Sequence, residues 1–226
     1  MNHRAAIPLI DRQKAEGLIK SRQFRDWIVT PTSQKLLIHG NYPRLLPTSG
    51  LSVLCLMLNK SFEESGGFIS LIFFCGRHLD KKEAISGGRG LIRSLISQVL
   101  LQYSFDTTIL DGRMIQDALN GDLHALCALF QSLVYQLPSG ITLVCIIDGI
   151  KYYERAEYEN ETGEALVHIL DLLHDPNMAS TVKVLVTSPL ETKIVRAAFA
   201  GCILSMSSAK IALSVQSQNL NRELRF

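Results

Sequence analysis

What these 226 residues lack excludes several function classes. There is no charge imbalance: the net charge is +2 and the basic residues are scattered. That leaves no electrostatic footprint for nucleic acid or for an anionic membrane surface. None of the five cysteines (Cys55, Cys75, Cys127, Cys145, Cys202) stands in a C-x-x-C pair. Most lie in apolar runs, where a thiol acts as a small buried hydrophobe, so a reduced, structural role is expected. No apolar run approaches the roughly 18 residues of a membrane span, and no N-terminal segment has the apolar core of a signal peptide. An intracellular, cytoplasmic chain without a membrane partner is expected. Asn59-Lys60-Ser61 and Asn160-Glu161-Thr162 match the glycosylation pattern, but without a secretory route they would be idle. There is no internal repeat.

What is present points to a large core. Apolar residues make up 47% of the chain and charged residues 19%, a balance that argues against disorder. A chain of this length can bury roughly 70–75% of its unfolded surface, as one large α/β domain or two small ones.

The apolar runs are short and separated by amphipathic stretches. Leu36–His39, Phe68–Cys75, Ile141–Ile147, Val182–Thr187 and Cys202–Met206 read as strands. Helices are expected over Asp11–Trp27, Leu51–Asn59, Leu91–Tyr103, Asp122–Leu137, Glu164–His174 and Glu191–Ala198. Nearly continuous apolar strands alternating with helices imply a parallel sheet covered on both faces. Ligands of such sheets bind beyond the carboxyl ends of the strands, here just after His39, Ile147 and Thr187. Residues 1–34 read as a helical arm and linker, 35–206 as the α/β domain and 207–226 as a polar tail.

The segment after the first strand begins like a phosphate-binding loop, whose G-x-x-x-x-G-K-[ST] pattern cradles phosphate with backbone N–H groups and a lysine. Gly40 and Gly50 are separated by nine residues where four belong, and Leu51 stands in the lysine position. Ser52 matches the hydroxyl that ligates magnesium, but it reads first as an ordinary helix N-cap. Asp148 ends its strand, either as a metal-binding carboxylate or as the first half of an Asp-Gly turn.

Taken in order, these segments resemble the fungal NACHT-type NTPases of the STAND class, in particular the nephrocystin-like N-terminal NTPase domain. The resemblance covers roughly residues 24–206. It rests on Trp27, on Leu36–Gly40 and on the strand ending in Phe73-Phe74. The helix Leu91-Ile92-Arg93-Ser94-Leu95-Ile96-Ser97-Gln98-Val99-Leu100, the run Leu143–Asp148 and Lys183–Pro189 complete it. It implies an α/β fold, a three-layer P-loop NTPase-like parallel sheet of about five strands with helices on both faces. It also implies a signalling switch that binds Mg-ATP or Mg-GTP, with Thr187 and Ser188 at a sensor strand end. Relatives normally continue into winged-helix and repeat regions, and this chain is expected to lack those parts.

The departures from that pattern fall at the chemistry. A lysine about 4 Å from a phosphate charge is worth on the order of 4 kcal/mol at an effective dielectric of ~20, or roughly a thousandfold in rate. Leucine supplies none of it. The acidic pair expected after Asp148 is replaced by Lys151-Tyr152, and Glu154 lies two residues late. The arginine between Thr187-Ser188 and Pro189 is missing, and Arg196 is expected to face solvent. The expectation is a degenerate module that hydrolyses poorly and acts through protein partners, among them full-length STAND relatives. The rival is a nucleotide-binding protein with a rebuilt loop, in which Arg44 and Ser52 touch phosphate and Asp148 holds magnesium.

Three further features have two readings each. Cys75 and His78, with Asp80 close by, form either a nucleophile pair or metal site, or a loop corner where Arg77 and His78 shape the turn or meet a partner. Gly87-Gly88-Arg89-Gly90 is either an anion site or an unoccupied turn before Leu91. Glu154–Glu161 reads as a solvated acidic loop.

Overall fold

Strands β3 (Thr142–Asp148) and β4 (Thr181–Ser188) are buried along nearly their whole length, as strands covered on both faces must be. The computed structural model describes residues 16–43, 45 and 49–206. The strands pair in the order β2-β3-β4-β1-β5, with β1 at Gln34–His39, β2 at Phe68–Phe74 and β5 at Ile203–Ser205. Every pairing is parallel. The molecule has a three-layer α/β fold, a five-stranded parallel sheet between helices.

Period-two alternation sorts the side chains onto two faces. Leu36, Ile38, Val144, Ile146 and Leu185 pack under α1 (Arg22–Val29) and α2 (Gly50–Glu63). Leu37, Leu143, Cys145, Ile147, Val184 and Val186 face the other way. They meet α3 (Gly87–Gln102), α5 (Leu123–Val134) and α6 (Glu159–Asp171). Helices α4 (Gly112–Leu119) and α7 (Val195–Ala198) are shorter.

Several boundaries differ from the sequence expectation, each for a local reason. The helix expected over Asp11–Trp27 is broken: residues 16–19 are helical, and Ser21 then caps α1 by accepting from the Phe24 N–H. Its residues before 16, and the tail after 206, lie outside the described residues. The glycines expected as a turn before Leu91 form the first turn of α3. A Cβ on Gly88 would stand 2.2 Å from the Glu161 carbonyl oxygen, so only glycine lets α3 approach α6 there. The acidic run is not a loop throughout, because Glu159 and Glu161 open α6, where negative charge suits the helix dipole. Helix α4 was not anticipated; Asp111 caps it by accepting from Arg113 and Met114 N–H groups.

Two polar devices hold the layers. Lys183, 4% exposed on β4, donates to the carbonyls of Trp27 (2.8 Å) and Thr30 (2.5 Å) at the end of α1. Burial pulls its pKa down to about 8. On the far side β2 is an edge strand, yet its open edge is not bare. Gln98 of α3 accepts from Ile72 N (2.8 Å) and donates to Ile72 O (2.9 Å). Gln102 does the same for Ser70, at 3.1 and 2.8 Å. Two side-chain amides one helical turn apart imitate a neighbouring strand.

Asn59 is buried, donating to Glu63 and accepting from Ser70, which removes it as a glycosylation acceptor. Among the described residues no helix is long and apolar enough to cross a membrane.

Candidate functional site

The chain leaves β1 for β2 by passing over β4 and β3, and leaves β4 for β5 by passing over β1. These opposed crossings open a crevice at the carboxyl ends of β1 and β4. His39 lies opposite Ser188 at its floor. The structure therefore gathers Gly40, Gly50, Ser52, Asp148, Thr187 and Ser188 at one end of the sheet.

Asp148 is the centre of this group. Alternation along β3 points it at the α2 face, where it is 5% exposed. Its Oδ2 accepts from Ser52 Oγ at 2.7 Å and its Oδ1 from Thr187 Oγ1 at 2.5 Å. The Cys55 thiol stands 3.9 Å from Oδ1. None of these partners carries positive charge. Burial raises the Asp148 pKa, and the hydrogen bonds from Thr187, Ser52 and Cys55 offset only part of that. Gly149 takes a left-handed φ of 76° and donates to the Thr187 carbonyl, so Asp148 is also the start of a tight turn.

Ser52 is not the N-cap of α2. Ser49 holds that position and accepts from Ser52 N–H, while Ser52 Oγ accepts from Ser49 N–H. This is a capping box with serine at its third position. The single Ser52 hydroxyl thus serves the helix start and Asp148 together. Leu51, where the phosphate loop has lysine, is fully buried.

The loop side of the crevice is closed by two further contacts. Gly40 N–H donates to Ser188 O at 2.8 Å and Tyr42 N–H to Pro189 O at 2.9 Å. Tyr42 is buried, and a Cβ on Gly40 would meet its ring at 2.6 Å and Leu51 Cδ1 at 3.1 Å. Asn41 turns the chain between them with φ 49°. Arg44, the sequence candidate for phosphate contact, lies outside the described residues.

Glu154 does not return to Asp148. Its carboxylate accepts from Lys193, Ile194 and Val195 N–H groups at the start of α7, at 2.7–3.0 Å. It also accepts a hydrogen bond from Lys151 Nζ at 2.8 Å. Burial would raise its pKa, but Lys151 and the amides outweigh it and hold the group below its usual value. Ser188 Oγ donates to the Leu190 carbonyl. Arg196 is exposed and, among the described residues, pairs with Glu191 at 3.4 Å.

His39 and Thr192 were missed by the sequence reading. His39 is 2% exposed, with Nε2 3.0 Å from Thr192 Oγ1, and burial lowers its pKa. A histidine ending an apolar strand was the available signal. Cys75 and His78 make no nucleophile pair. The Cys75 thiol is fully buried, and burial together with Asp148 pushes its pKa well up, whereas a reactive thiol needs it lowered. His78 stacks on Phe73 at 5.1 Å instead.

Comparison with known proteins places these features in context. The family model described as Nephrocystin 3, N-terminal, matches residues 14–189. No curated protein matches. Among solved structures, the Aeropyrum pernix ORC2 protein (ADPNP-ADP complexes) is similar at a TM-score of 0.43 and 14% identity. The likeness covers 85% of this chain and 43% of that one, so the chain spans less than half of that structure.

Proposed function

Because this chain belongs to the nephrocystin 3 N-terminal family, we propose that it is a degenerate NACHT-like P-loop module. On this reading it hydrolyses nucleotide poorly or not at all and acts as an intracellular regulatory or scaffold element through protein contacts. The supporting observation is the closed loop corner. The amides of Gly40 and Tyr42 are spent on the β4 loop, and the Tyr42 ring and Leu51 pack over Gly40. A Mg-nucleotide needs loop amides and a cation on its phosphates; among the described loop residues the Gly40 and Tyr42 amides are committed to carbonyls and Leu51 offers no charge. Glu154, the nearest substitute for a water-orienting carboxylate, is bound to the start of α7.

A second reading has one observation in its favour. Ser52 Oγ lies 2.7 Å from Asp148 Oδ2, and a loop serine with a strand-end aspartate is the pair that holds magnesium in P-loop NTPases. On this reading the chain binds Mg-ATP or Mg-GTP through a rebuilt loop, and a cation would supply the charge that the partners of Asp148 lack.

A thermal-unfolding titration with ATP, ADP, GTP and GDP, each with and without magnesium, separates the two. A ligand at a hundred times its dissociation constant adds about 2.7 kcal/mol, a visible shift. The degenerate module gives none at millimolar nucleotide. A magnesium-dependent shift with one nucleotide establishes the second reading in its place.

A further inference from the structure

Away from the carboxyl ends of the sheet, α5 and α6 bring three ligating side chains together. One ligand atom each from His124, Glu164 and His168 lies within 4.8 Å of the other two. Glu164 and His168 are four residues apart on α6 and so lie on one face of it. His124 is the second residue of α5, and the two imidazole rings meet edge-on with centroids 5.7 Å apart. His124 and Glu164 are exposed and His168 is half-buried. Among the described residues none of the three has a hydrogen-bond or ion-pair partner, so their lone pairs are uncommitted.

We propose that His124, Glu164 and His168 form a site for a divalent transition-metal ion of the zinc class. Two imidazoles and one carboxylate are the donor set of zinc sites that keep a position open. Bonds of about 2.0–2.1 Å set tetrahedral ligand atoms roughly 3.4 Å apart. Closing to that distance from 4.8 Å asks only for rotamer adjustment of side chains at the surface. Cys127, one turn further along α5, is buried and is not among the side chains that converge there. The ion would bridge the start of α5 to the middle of α6. Its remaining position is left for water or for a donor from a partner protein.

The test is calorimetric titration of the metal-stripped chain with ZnCl2, paired with proton NMR of the histidine ring resonances. The expected result is one equivalent bound at micromolar affinity, with only the His124 and His168 resonances shifting among the six histidines. His124→Ala and His168→Ala should each weaken binding by about tenfold or more, and Glu164→Gln should weaken it as well. Cys202→Ser should leave binding intact, since Cys202 is the one partly exposed thiol and a competing soft ligand. Binding that survives both histidine variants overturns the proposal. So does binding that disappears with Cys202, or none below millimolar zinc. All three ligands are at the surface, and unchanged circular dichroism of the variants secures the comparison.

Discussion

Asp148 carries a carboxylate in a buried site whose partners are two hydroxyls and a thiol. Its pKa is raised by burial, so over the window from the ordinary aspartate value up to the raised one the folded state holds more protons than the unfolded state. Stability then falls as pH rises through that window. Asp148→Asn removes the titration and keeps the shape. The variant should gain on the parent chain as pH goes from 4 to 7, read from urea midpoints at the two values. A constant difference would mean that folding does not raise the Asp148 pKa. At this scale the sequence was half legible. An aspartate ending an apolar strand, and a serine following Gly50, marked themselves by position. Tyr42 did not, because spacing alone cannot say that a ring folds back over Gly40. Nor could position show that Glu154 turns toward α7.

At the scale of elements, the glutamine pair on α3 decides how β2 presents its edge. Gln98→Ala removes two hydrogen bonds to Ile72, at about 0.5–1.5 kcal/mol each. The more exposed Gln102 should matter less. The double variant should lower the urea midpoint and scatter light on standing, because an unpaired edge templates association. If the monomer stays clear and equally stable, the amides are ornament on the strand. The strands themselves were legible as short apolar runs. The start of α3 was not: Gly87–Gly90 argued against helix by propensity, yet contact with the Glu161 backbone requires glycine there. Tertiary packing overrode local preference.

For the whole molecule, the thiols report whether the core is closed. Cys55, Cys75, Cys127 and Cys145 are buried, and burial is the leading cause that raises each pKa, to about 12 for Cys127 and Cys145. Iodoacetamide at neutral pH should label Cys202 first in the native chain and all five only in denaturant, read by mass spectrometry. Early labelling of Cys75 would contradict the closed core and revive a nucleophile there. The covered parallel sheet was legible from the run of strands and helices. The order of its strands was not, since pairing is settled between residues far apart in the chain.

That order also has a consequence in time. β1 is made early, but its sheet neighbours are β4 and β5, with Gln34 opposite Lys183 and Leu37 opposite Ile203. At about 5–20 residues per second, synthesis of the intervening chain takes roughly 8–30 s. During that interval β2 and β3 can pair and receive α3, α5 and α6, while β1 waits at the ribosome without a partner. Such long-range pairing is slow even in a complete chain. The crevice between β1 and β4 is therefore assembled only after β4 has been made.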